Sequence, residues 1–229
     1  MLPLRAVLRF TSTLFVLTVA LALPIGARAD DLPPPPALMA HAWLLTDIES
    51  GQVLAGRNDD ERAAPASLTK LMTAYLVFSA MKSGAITPDR RVTVSEHAWK
   101  QGGSRMFLQP GRPVTVDELL HGLIVLSGND SAVALAEAVA GSEEKFVEQM
   151  NAEAARLGMK DTHFANATGW SDPQHYSTAR DLTTLATALL RDFPEHMDLY
   201  STKTYGYNGI AQQNRNRSRA GSCGSQNRG

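Results

Sequence analysis

The sequence predicts an α+β fold, with helices packed on a sheet to which both ends of the chain contribute. Three observations lead there. Runs rich in β-branched and aromatic residues stand near each end, around residues 42–55 and 200–210. Between them lie helix-length segments that carry their own start and stop residues. The segment from Ser67 to about Met81 is apolar nearly all round, which marks a central buried helix. Strands, then many helices, then a strand is the α+β order. A length of 229 residues allows one large domain or two small ones.

Taken in order, residues 1–29 read as a signal peptide. Arg5 and Arg9 give a positive start, and Phe10 to Leu23 is an apolar run shorter than a comfortable membrane span. Ala27-Arg28-Ala29 is a small-x-small cleavage site, so the mature chain is expected to begin at Asp30. That predicts export to the bacterial periplasm or the outer face of the inner membrane; an uncleaved anchor helix is the competing reading. Residues 30–40, with prolines at 33–36, form a stiff spacer. Ala42–Thr46 and Gln52–Ala55 predict a hairpin around Asp47-Ile-Glu-Ser-Gly51. Arg91–Ser95 alternates as a short strand does, and residues 102–113 are glycine- and proline-punctuated loop. Thr115-x-x-Glu118 is a capping box that opens a helix to about Leu126. After a break at Ser127-Gly-Asn-Asp130, a helix runs to Ala140 and stops at Gly141. Ser142-Glu-Glu opens the next, closed at Leu157 by Gly158. Ser177-Thr178 with Asp181 caps another that ends before Pro194, and Tyr200 to Ile210 reads as a strand.

Composition narrows the function. Hydrophobic content of 44% with 20% charged residues is ordinary for a globular protein, and a net charge of −1 gives no general attraction to nucleic acid or anionic lipid. The single cysteine, Cys223, makes no internal bridge, so an exported chain must rely on a sizeable core. The six histidines are scattered without His-x-x-x-His spacing, and nothing points to a metal or other cofactor.

The chemistry gathers at Pro65-Ala-Ser-Leu-Thr-Lys70. Ser67 and Lys70 are three apart on one helical face. A hydroxyl is a poor nucleophile until a base takes its proton, and a desolvated lysine amine can be that base. Burial of this helix disfavours the charged form of Lys70. Near the helix start, free backbone N–H groups can stabilise an oxyanion. An ordinary N-cap is the competing reading of Ser67. The same spacing recurs at Ser79/Lys82 and Ser142/Lys145, where a surface turn and an N-cap explain it. Ser127-Gly-Asn129 sets short hydrogen-bonding residues between two apolar helices. It reads either as C-cap, glycine stop and N-cap in sequence, or as a second serine that passes protons with an amide that holds a substrate backbone.

Residues 65–75 (Pro-Ala-Ser-Leu-Thr-Lys-Leu-Met-Thr-Ala-Tyr) resemble the first active-site motif of the serine D-alanyl-D-alanine carboxypeptidases, the low-molecular-weight penicillin-binding proteins. Ser127-Gly-Asn-Asp resembles their second motif. Gly103–Leu108, Leu157–Phe164, His175–Ala179, Asn208–Ile210 and Asn214–Asn216 agree further, so the resemblance runs over 41–216. It implies the penicillin-binding-protein and β-lactamase transpeptidase fold, a helical subdomain on a mainly antiparallel sheet with the active site at their junction. It implies removal of the terminal D-alanine from peptidoglycan stem pentapeptides through an acyl-serine, and acylation by β-lactam antibiotics. By match of motif, Ser67 is the nucleophile, Lys70 the base, Ser127 a proton relay and Asn129 a substrate contact.

The resemblance departs at the third motif of the family, a Lys-Thr-Gly on a strand beside the nucleophile. Lys203-Thr204-Tyr205 does not replace it, because it precedes the Asn-Arg-Asn stretch that the motif should follow. In the family that strand lends an oxyanion-hole N–H, and loss of one such donor costs on the order of 10²–10³ in rate. The closing strands, a β-rich second domain and an amphipathic membrane anchor are likewise expected to be missing. Residues 217–229 have no apolar pattern and read as an aberrant tail. Gln226 to Gly229 can be encoded CAA AAC AGG GGN, which one base later reads Lys-Thr-Gly; a frameshift after Asn216 is the expectation, tested by the coding DNA. The alternative of a different class is a non-catalytic vestigial or cell-wall-binding protein. A β-lactamase would need a glutamate-activated water, and no Glu-x-x-Leu-Asn segment lies between Ser127 and the tail.

Overall fold

The computed structural model describes residues 38–214. The signal peptide, most of the spacer, Arg215-Asn216 and the tail with Cys223 lie outside the described residues. The first strands, β1 (Trp43–Thr46) and β2 (Val53–Arg57), pair antiparallel, Trp43 opposite Arg57, with a register shift at Leu45/Thr46. Asp47 makes the turn. Its Oδ1 accepts from the backbone N–H of Ser50 at 2.7 Å, and Gly51 takes φ of 71°.

The predicted central helix is present, but it starts as a 3₁₀ turn. Ala66–Thr69 is 3₁₀, and α1 (Lys70–Lys82) is the regular part. Ala66 sits at φ of 47°, a left-handed conformation that tightens the chain before it settles into α geometry. Met72, Ala74, Val77 and Phe78 are fully buried on α1, which packs against four later helices. The loop read over 102–113 is irregular up to Pro113, where a strand begins, and short elements flank it. The short strand β3 (Arg91–Thr93) pairs antiparallel with β4 (Pro113–Thr115), and a one-turn helix, α2 (Glu96–Trp99), is capped by the Ser95 hydroxyl. The alternation over Arg91–Ser95 predicted β3, two residues longer than it is, whereas β4 is too short for its own alternation to be read.

The capping signals hold. Thr115 and Glu118 form the complete capping box of α3 (Val116–Val125). Helix α4 (Asn129–Ala140) ends at left-handed Gly141, and α5 (Glu143–Leu157), N-capped by Ser142, ends at left-handed Gly158. Thr178 caps α6 (Ala179–Asp192) through the N–H of Asp181. Phe146, Leu119, Leu123, Leu135 and Leu185 join α1 in the core that these helices enclose.

The C-terminal prediction needs correction. Residues 200–210 are not one strand: α7 (Asp198–Ser201) closes first, then β5 (Thr204–Tyr207) and β6 (Ile210–Gln213) pair antiparallel around Asn208-Gly209. Both turn residues have positive φ, as a tight hairpin turn demands. Nor, among the described residues, do the first and last strands share a sheet. The described strands form separate two-stranded sheets, β1–β2, β3–β4 and β5–β6. Aromatic and β-branched residues predict extended backbone; they do not choose its partner, which long-range packing decides. The α+β class stands.

Candidate active site

Pro65 and Ala66 deliver Ser67 into the 3₁₀ turn, where it is solvent-exposed. Its side chain makes no cap: Pro65 occupies the N-cap position, so the capping alternative does not describe Ser67. One turn on, Lys70 is only 6% exposed, and its Nζ donates to the Thr168 carbonyl at 2.6 Å. Ser67, Lys70 and Ser127 line one cavity of about 730 Å³, with Leu71, Leu123 and Tyr200 among its walls. The Tyr200 hydroxyl is buried with no hydrogen-bond partner among the described residues, and burial pushes its pKa up. Asn214, which also lines the cavity, donates from Nδ2 to the Thr202 carbonyl at 2.8 Å.

Ser127-Gly-Asn129 is shifted one residue from the capping order that the sequence predicts. Leu126 is the C-cap of α3, Ser127 turns left-handed at φ of 56°, and Gly128, extended, is the N-cap of α4. Asn129 is therefore the first helical residue and caps nothing. It lies outside the cavity lining, beside the Gly102–Ser104 loop. Its N–H donates to Ser104 O at 2.7 Å, and Nδ2 donates to Gly102 O at 2.8 Å. The amide oxygen accepts nothing among the described residues. Next to it, buried Asp130 accepts from the N–H groups of Met106 at 2.9 Å and Leu108 at 3.1 Å. A carboxylate satisfied by backbone donors fixes that loop to the start of α4.

What no motif revealed is the brace behind the serine. Asn166 Oδ1 accepts from Thr168 N–H, Gly169 N–H and Trp170 N–H at 3.2, 2.8 and 3.0 Å, and so locks the turn that presents the Thr168 carbonyl to Lys70. Gly169, at φ of +82°, presses on the serine turn so closely that an added Cβ would stand 1.8 Å from the Ala66 carbonyl oxygen. Thr73 Oγ1 donates to Ala167 O at 2.7 Å. His175, 3% exposed, completes the brace: Nδ1 accepts from Ala165 N–H at 3.1 Å, so the neutral ring carries its proton on Nε2, 2.8 Å from Thr69 Oγ1. Desolvation lowers its pKa. Of these, Thr69, Thr73 and His175 lie in stretches that the sequence singled out, whereas Asn166, Thr168 and Gly169 do not.

An exposed serine on a strained turn, with a buried lysine one turn on and a second serine in the same cavity, is the arrangement of a lysine-assisted acyl transferase. No helix among the described residues is long and apolar enough to cross a membrane. The family model for D-alanyl-D-alanine carboxypeptidase matches residues 30–222. D-alanyl-D-alanine carboxypeptidase DacD of Escherichia coli is 45% identical over 203 residues, covering 85% of this chain and 52% of the relative. Among solved structures, penicillin binding protein 5 from Haemophilus influenzae superposes with a TM-score of 0.78 at 42% identity, covering 80% of this chain and 54% of that one. Penicillin-Binding Protein D2 from Listeria monocytogenes, in its ampicillin-bound form, gives 0.72 at 28%, covering 81% and 75%. The chain spans about half the length of the curated relatives it matches. With matched residues reaching from one side of the serine turn to the other, the chain belongs to the D-alanyl-D-alanine carboxypeptidase family.

Proposed function

We propose that this chain is a serine D,D-carboxypeptidase that removes the terminal D-alanine from peptidoglycan stem pentapeptides and is acylated by β-lactams. One observation carries the reading: Ser67, Lys70 and Ser127 line a single cavity, with Lys70 buried and held at its far side by the Thr168 carbonyl. That carbonyl accepts an N–H from the lysine in either protonation state, so the brace survives the cycle. As Ser67 Oγ attacks the carbonyl of the penultimate D-alanine, its proton passes to the Lys70 amine. Ser127 relays a proton to the leaving amine as the peptide C–N bond breaks, which frees D-alanine and leaves an ester on Ser67. Water then attacks the ester and restores the hydroxyl. Asn129, its Nδ2 committed to Gly102 O, offers its amide oxygen to a peptide N–H of the substrate.

The same reading assigns residues 1–29 to a cleaved signal peptide, 30–40 to a spacer, 41–216 to the catalytic domain and 217–229 to a tail outside it. It places the mature protein in the periplasm or at the outer face of the inner membrane. The test is intact-mass measurement after mixing the mature chain with benzylpenicillin. A single adduct that disappears in Ser67→Ala is expected. No adduct on a chain with cooperative unfolding would sink the proposal and leave the non-catalytic alternative.

A further inference from the structure

The acyl-transfer groups leave one neighbour unused. Trp170 is 56% exposed, yet its backbone is fixed on both sides. Its N–H donates to Asn166 Oδ1 at 3.0 Å and Thr168 Oγ1 at 3.1 Å, and its carbonyl accepts from Asn166 Nδ2 at 3.0 Å. The ring lies on Gly102-Gly103. A Cβ on Gly103 would stand 3.1 Å from Trp170 Cζ3 and 3.0 Å from Asn129 Nδ2, and one on Gly102 would stand 3.4 Å from Trp170 Cη2. The two glycines thus let the indole and the Asn129 amide both close on one side-chain-free position at Gly103. The loop that carries the ring is the loop that holds Lys70 and presses on Ala66. A lone exposed aromatic is ordinary on a surface; one whose backbone is fixed on both sides, and whose ring meets the same glycine as the Asn129 amide, is not.

We propose that Trp170 is a specificity-determining wall of the cleft, stacking on the peptide residue that precedes the D-alanyl-D-alanine. This rests on the function proposed above. If Asn129 takes a peptide N–H on the acyl side of the scissile bond, the preceding residue lies on the Asn129 side, near the 56%-exposed Trp170 side chain. An indole face favours long aliphatic and ammonium-bearing side chains. A ring already fixed by its backbone loses little freedom when the peptide arrives.

The test uses the full mature chain carrying Ser67→Ala, so that binding is read at equilibrium by amide NMR shifts. Two probes are titrated, Nα,Nε-diacetyl-lysyl-D-alanyl-D-alanine and N-acetyl-D-alanyl-D-alanine. Adding Trp170→Ala, which removes a mostly exposed ring, is expected to weaken the tripeptide about fivefold, the size of one aromatic contact. It should leave the acetyl dipeptide unchanged, and Trp170→Phe should restore most of the loss. A Trp170→Ala chain that binds both probes as its parent does, or loses both equally, overturns the wall. A parent that binds neither probe overturns the carboxypeptidase reading itself, and the wall with it.

Discussion

Gly169→Ala is the sharpest probe of how the nucleophile is held. The new Cβ would lie 1.8 Å from Ala66 O, 2.4 Å from Ala66 C and 2.9 Å from Thr69 Oγ1. Two of those atoms are backbone and have no rotamer to escape into. The segments must part by about 1.2 Å merely to reach 3.0 Å, below which real Cβ contacts essentially never fall. Overpacking of this kind costs about 1–3 kcal/mol, and an alanine at positive φ adds about 1–2 kcal/mol. A total near 3 kcal/mol lowers the melting temperature of a domain this size by about 6–12 °C. The displaced turn carries Ser67, and a misplacement of about 1 Å costs on the order of 10² in rate. Thermal denaturation and the rate of acylation by a fluorescent penicillin read the two effects. Gly141→Ala is the control: φ is +85° there, with nothing within 4 Å of an added Cβ, so it registers the backbone cost alone. Equal losses of stability in the two variants, or unchanged acylation in Gly169→Ala, would refute the tight contact.

Two further predictions concern the brace and the second motif. His175 has a lowered pKa because burial disfavours its cation, with Asp172 opposing and His163 adding to the shift. A depressed pKa means that its stabilising contribution is complete above the ordinary histidine value near 6.5 and is lost as pH falls through the folded value. Denaturant unfolding should therefore show stability falling on acidification below about 6.5, with a shallower fall in His175→Ala; parallel pH profiles for the two chains would contradict this. Asp130→Ala strands the N–H groups of Met106, Leu108 and Ser131. With about 1–3 kcal/mol for each unsatisfied buried group, partly relieved by entering water, a loss of about 3 kcal/mol in urea unfolding is expected. A loss under about 1 kcal/mol would show that water replaces the carboxylate without cost.

Much of this molecule was legible where the signal is local. Thr115 and Glu118, Ser142, Gly141 and Gly158 mark helix ends because caps and left-handed stops use particular side chains within a few residues. Ser67 and Lys70 declared themselves by a helical spacing that puts both on one face. The Asn208-Gly209 turn was equally local, and its signature was present in the sequence; reading the flanking residues as one continuous strand passed over it. The rest was hidden for a physical reason. Lys70 is held by the carbonyl of Thr168, and a backbone oxygen has no residue identity. Gly169 meets Ala66 only because the chain returns there. Strand pairing at the two ends depends on partners far along the chain, which residue type does not encode.

The brace also dictates an order of events. The serine turn is supported by partners 98 residues away through Lys70, 94 through Thr73 and 106 through Thr69. Loops of that length close late, after local helices such as α3 and α5 can already form, because their chain entropy must be met before the contacts return anything. Ribosomal synthesis makes residue 70 long before residue 168, so the lysine waits unseated while most of the domain is made. The Lys70 amine thus meets its carbonyl partner only when the distal loop docks. The support of the serine turn is therefore a property of the assembled domain and not of the helix that carries the motif.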